Sequence, residues 1–132
     1  RDNMEKKNVK QNPGTDFQNK GAGVHFELVG KCLVIRLDQE LDHHIALNVR
    51  EKADKLIDRG NVKNIIFDFE KSGFMDSSGI GVIMGRYKKV IFTGGKVSVT
   101  NVNTVIDRIF RLSGLYKIIE KYETIQEALK AM

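Results

Sequence analysis

The chain has 132 residues, 41% hydrophobic and 30% charged, with one Pro, one Cys and no Trp, a profile that fits one globular domain and leaves no room for two. Cys32 has no second cysteine to pair with, no apolar stretch approaches the ~20 residues that cross a bilayer, and the start lacks a signal-peptide core, so a cytoplasmic protein away from membranes is expected. The net charge of +5 invites a nucleic-acid reading, but the basic residues alternate with acids, as in Arg50, Glu51, Lys52, Asp54, Lys55 and Asp58, which marks a solvated helix face and argues against direct nucleic-acid contact.

Residues 1–23 hold a net +2 and only Met4, Val9, Phe17 and Ala22 as clear apolar side chains. With neither a helical nor a strand period, they read as a disordered tail or a remnant of expression or cleavage, and the domain is expected over 24–132. From Val24 the texture changes. His25 to Val29 and Cys32 to Leu37 are strand-like runs joined across Gly30-Lys31, a hairpin signature. Ala46, Val49, Ala53, Leu56 and Ile57 then recur at helical spacing up to a capping Gly60. Asn64 to Glu70 is a short apolar run that suits a strand covered on both faces.

The segment from Phe74 to Tyr87 opens with capping-type residues and continues with Ile80, Ile83, Met84, Tyr87 and Ile91, which predicts a loop feeding a helix that buries this face. Gly94-Gly95 ends it and Lys96 to Thr100 is the next strand. A third helix runs from about Asn103 to Ser113 and closes at Gly114, Lys117 to Glu120 reads as a short edge strand, and Thr124-x-x-Glu127 has capping-box spacing before a last helix. The pattern predicts an α/β domain with a mixed, mostly parallel sheet, an N-terminal hairpin, about four helices and right-handed crossovers.

The stretch Met75-Asp76-Ser77-Ser78-Gly79 puts two hydroxyls and a carboxylate where a loop becomes a helix. A helix start offers free N–H donors and the positive end of the peptide dipoles, so a phosphoryl group on Ser77 could be held there; equally, Asp76 or Ser77 could simply cap the helix. Gly79, Gly81 and Gly85 each cost about 1 kcal/mol in a helix, which either close helix-to-sheet packing or a docked partner would offset. No phosphate-gripping glycine loop is present. Ser77 with His43 or His44 and Asp42 or Asp76 contains the residue types of a hydrolase, but the Gly-x-Ser-x-Gly elbow is missing. His25, Cys32, His43 and His44 have no metal-ligand spacing. No catalytic residue, metal or cofactor is expected.

Three blocks, Glu40-Leu-Asp-His-His44, Phe74-Met-Asp-Ser-Ser-Gly-Ile-Gly-Val-Ile-Met-Gly-Arg-Tyr-Lys88 and Arg111-Leu-Ser-Gly-Leu-Tyr-Lys-Ile-Ile119, closely resemble the anti-sigma factor antagonists of the STAS domain family, in particular those of sporulation. The resemblance spans about residues 24–132. It implies a STAS-like fold and a partner-switching protein that is not an enzyme. Its partners would be an anti-sigma factor with serine kinase activity, which phosphorylates Ser77, and a serine phosphatase that reverses the change. Partner contact is then expected at Asp42, Asp76, Ser78, Gly79 and Ile80. An antagonist of a stress regulon and a weak nucleotide-binding hydrolase are the rival readings.

Overall fold

The computed structural model describes residues 14–19 by their backbone and residues 23–132 throughout. Six strands form one sheet in chain order: β1 (Gly14–Asn19), β2 (Val24–Val29), β3 (Cys32–Leu37), β4 (Asn64–Asp68), β5 (Val97–Thr100) and β6 (Glu120–Tyr122). β1, β2 and β3 pair antiparallel to one another, and β3 to β6 run parallel. The parallel strands need crossovers, supplied by α1 (His43–Asp58), α2 (Ser77–Ile91) and α3 (Thr104–Ser113), with α4 (Ile125–Lys130) closing the chain. This is the expected mixed α/β architecture with its hairpin and four helices.

Alternation along each strand sorts side chains to two faces. Phe26, Leu33, Ile35, Ile65, Phe67 and Val99 enter the main core beneath α1, α2 and α3. Cys32, Val34 and Ile66 face the other way and meet Ala128, Ile125 and Leu129 of α4. β4 is therefore covered on both sides, as its continuous apolar run predicted.

Three expectations are corrected. The six residues of β1 fall inside the segment read as a tail, yet they pair with β2 from Gly14 opposite Val29 to Asn19 opposite Val24. An outer strand is held by backbone hydrogen bonds, which need no apolar period. The remaining residues up to 22 lie outside those described. The edge strand placed at Lys117 to Glu120 is Glu120–Tyr122, because Leu115–Lys117 winds into a 3-10 turn that buries Leu115 and delivers Ile119 to the core. Finally, α2 buries Gly79, Val82, Ile83, Arg86 and Val90. Of the expected face only Ile83 is on it; Ile80, Met84 and Tyr87 are half-buried at its margin and Ile91 is exposed.

Candidate functional site

Two loops at the carboxyl ends of parallel strands build the site, the position where open α/β sheets usually bind their ligands. The loop from β3 to α1 and the loop from β4 to α2 are tied by a parallel bridge between Leu41 and Met75. Leu41 N–H donates to Phe74 O at 3.0 Å, and Asp76 N–H to Leu41 O at 3.3 Å. Leu41 and Met75 are buried, so apolar packing reinforces this seam. The next residue in each loop is an aspartate that caps a helix. Asp42 accepts from Ile45 N–H at 3.0 Å and Asp76 accepts from Ser78 N–H at 2.8 Å. Paired segments run ~4.8 Å apart, so the bridge sets two capping carboxylates and two helix starts side by side.

The cap of α2 is thus Asp76, which leaves Ser77 as the first helical residue, exposed and with its hydroxyl unbonded to any described residue. The two readings of this motif are compatible: one residue caps and the next is free for chemistry. Asp42, expected at a partner surface, has the structural duty of capping α1 as well. Ser78 is half-buried, Ile80 half-buried and Gly79 buried, so of these three only Ser78 and Ile80 reach the surface appreciably.

The glycines divide in two. A Cβ on Gly79 would meet Met75 Sδ at 2.9 Å and Leu41 Cδ2 at 3.0 Å, so glycine lets α2 settle on the bridge between the loops. Gly81 and Gly85 meet nothing within 4 Å. Close packing therefore explains Gly79 and does not explain the other two.

From the site a groove of about 550 Å³ runs between α1 and α2, with His43 and Ser78 at one end, Leu47, Gly81 and Val82 along it, and Arg50, Asp54 and Arg86 at the other. Arg86 is only 7% exposed. Its Nε lies 3.0 Å from Asp54 Oδ1, near enough to pair by charge, but Nε, Nη1 and Asp54 Oδ1 complete no hydrogen bond. Asp54 is shared, since Lys89 Nζ stands 3.6 Å from the same oxygen and 2.9 Å from Asp58. Burial pushes the Arg86 pKa below its ordinary value, Asp54 pulls it back up, and the positive charge of Arg50 lowers it again.

Leu47, Arg50 and Arg86, together with Phe74, which is 44% exposed beside Ser77, are site residues that the sequence did not single out. A signal existed for Arg86: it falls on the buried stripe of its helix, an unusual place for a charge. Burial pushes the Cys32 thiol up to about 12, which makes it a poor nucleophile at neutral pH. Among the described residues no group of His, Cys, Asp and Glu could hold a metal ion, and no helix is long and apolar enough to cross a membrane.

The STAS domain family model matches residues 24–128. An anti-sigma F factor antagonist of Paenibacillus polymyxa is 42% identical over 97 residues, covering 74% of this chain and 83% of that protein. The solved structure of the anti-sigma factor antagonist SpoIIAA in its unphosphorylated form superposes with a TM-score of 0.75 at 35% identity, covering 82% of this chain and 94% of that one. The phosphorylated form of the Bacillus cell fate determinant SpoIIAA gives 0.68 at 35% identity, over 82% and 97% of the two chains. Its relatives are regulatory binding proteins and not enzymes. The chain belongs to the STAS domain family, among its anti-sigma factor antagonists.

Proposed function

We propose that this chain binds an anti-sigma factor that is also a serine kinase, thereby releasing a sigma factor, and that phosphorylation of Ser77 ends the binding until a serine phosphatase removes the group. The observation that carries this reading is Ser77 itself: an exposed hydroxyl, bonded to no described residue, at the first position of α2 beside the capping Asp76. A kinase can reach it without unfolding anything. The similar SpoIIAA is known in unphosphorylated and phosphorylated forms, and the relative named for sigma F, with the Leu41-Asp-His-His44 block, favours the sporulation regulon over a stress regulon.

The switch follows from electrostatics. A phosphate adds a charge of about −1.5 to −2 next to Asp76 and, across the bridge of the two loops, to Asp42. Two unit charges ~6 Å apart at an effective dielectric near 20 repel by ~3 kcal/mol, so one partner carboxylate facing the phosphate lowers affinity roughly a hundredfold. The positive end of the α2 dipole offsets part of the cost within this chain, so the domain stays folded while its partner leaves.

The test is incubation of the purified chain with its cognate anti-sigma factor and ATP, followed by mass spectrometry. Phosphate is expected on Ser77 and on no site of Ser77→Ala, which still binds the partner. Ser77→Asp is expected to bind at least a hundredfold more weakly. Phosphate retained by the Ala variant, or unweakened binding by the Asp variant, removes the proposal.

A further inference from the structure

We infer that the groove between α1 and α2 receives a segment of the same anti-sigma partner and that an acidic side chain of this segment reaches Arg86 and Arg50. The inference rests on the proposed function and adds a second, charge-selective contact to it.

Three independent observations converge on this groove. The first is Arg86, which lines the far end and is more than nine-tenths buried, its enclosed Nε and Nη1 completing no hydrogen bond with any described residue. A guanidinium presents five donors in a fork suited to a carboxylate. Asp54, the one close carboxylate among the described residues, meets it without hydrogen-bond alignment and is divided between Arg86 and Lys89. The second is the charge balance. Arg50 is exposed on the same groove and its field is felt at Arg86, so two cations converge where one shared carboxylate answers them. An incoming acid is favoured there and an incoming base is repelled.

The third is Gly81, midway between Ser78 and Arg86 on the groove wall. It is exposed, has open space where a side chain would stand, and is required by no contact among the described residues. A backbone laid against α2 gives that absence a use. Leu47, 47% exposed on the facing wall, supplies the apolar contact. The groove begins at Ser78, adjacent to Ser77, so a partner whose kinase site engages Ser77 has the groove directly in its path. The occupant is therefore a protein segment rather than a free anion: an isolated anion would use the arginines and leave the apolar and glycine walls uncovered.

Calorimetric titration of the cognate anti-sigma factor into the unphosphorylated chain, combined with NMR of the Arg86 Nε–H, tests this. Arg50→Glu is exposed and expected to fold normally; it should weaken binding at least tenfold, with a flatter salt dependence. Gly81→Leu should weaken it as well by filling the groove. Replacing the partner's surface acids one at a time by Lys should yield a variant that restores binding to Arg50→Glu. The Arg86 Nε–H should shift on complex formation. If Arg50→Glu and Gly81→Leu bind like the parent while Ser77→Asp binds poorly, the groove inference is overturned and the proposed function stands. If the parent itself does not bind, both fall together. If inorganic phosphate alone shifts the Arg86 signal and the partner does not, the groove is a small-anion site and the protein contact is wrong.

Discussion

Among the buried charged side chains, Asp107 and Arg86 have surroundings that differ. Asp107 on α3 accepts from Tyr116 Oη at 2.6 Å and Lys121 Nζ at 2.9 Å and also pairs with Arg111, so three groups answer its charge. Among the described residues Arg86 on α2 has one imperfect partner, and its Nε and Nη1 complete no hydrogen bond. The Asp107 cluster ties α3 to the 3-10 turn and β6, and its chemistry is complete within the chain. The seam of α1 and α2 is incomplete by the same measure. A satisfied buried charge holds a fold together, whereas an unsatisfied one beside a groove leaves interactions for a partner to make.

The contrast breaks first on truncation. Phe110 is fully buried between the rings of Phe69 and Tyr116, at centroid distances of 5.6 and 5.5 Å. Phe110→Ala should cost roughly 3–5 kcal/mol in urea or thermal unfolding. The matching change on the seam, Leu47→Ala, removes a half-exposed side chain and should stay within about 0.5 kcal/mol while weakening partner binding. If Leu47→Ala proved as costly as Phe110→Ala, the seam would be core and not a docking wall.

The next effect is pH-dependent. Hydrogen bonds from Tyr116 and then Lys121, with the charges of Lys121 and Arg111, hold the Asp107 pKa below the usual carboxylate range. A carboxylate with a depressed folded pKa adds stability above the unfolded value of ~3.9, and this is lost as pH falls through the folded value. Asp107→Ala should therefore cost about 2 kcal/mol at pH 7, with the gap to the parent closing as the pH falls below 4. Urea midpoints of both chains across pH 3 to 7 check it. A gap that does not change with pH would mean that Asp107 acts by shape and not by charge.

Much of this organisation was legible because punctuation is local. Gly30 at φ 61°, Gly60 at 85° and Gly114 at 79° stand where the hairpin turns and where α1 and α3 end, and a left-handed residue is recognisable wherever it falls. The capping pattern at Asp76-Ser77 exposed the site for the same reason. What the sequence does not display depends on residues distant along the chain. The buried face of α2 departs from its apolar spacing because the stripe contains Gly79 and Arg86, which carry no apolar signal, while Ile80, Met84, Tyr87 and Ile91 do. β1 is not displayed because only Phe17 among its six residues is large and apolar, and its pairing depends on the backbone of β2. The groove itself is a relation between two helices, and spacing along either one cannot display it.

The smallest expected effect is the most discriminating, because one chemical change is made two residues apart. Alanine is worth up to about 1 kcal/mol over glycine inside a helix. At Gly81 nothing within 4 Å opposes the added methyl group, so Gly81→Ala should raise stability by about 0.5–1 kcal/mol in urea unfolding. At Gly79 the methyl group would press on Met75 Sδ and Leu41 Cδ2, side chains that are almost fully buried and have no room to withdraw. Overpacking of this kind costs about 1–3 kcal/mol, enough to cancel the helix gain and leave Gly79→Ala neutral or up to about 2 kcal/mol less stable. Opposite signs at the two positions would show that α2 rests tightly on the Leu41–Met75 bridge with its outer face open. An equal gain at both would mean that the bridge has slack, and then packing does not hold Ser77 in register with Asp42.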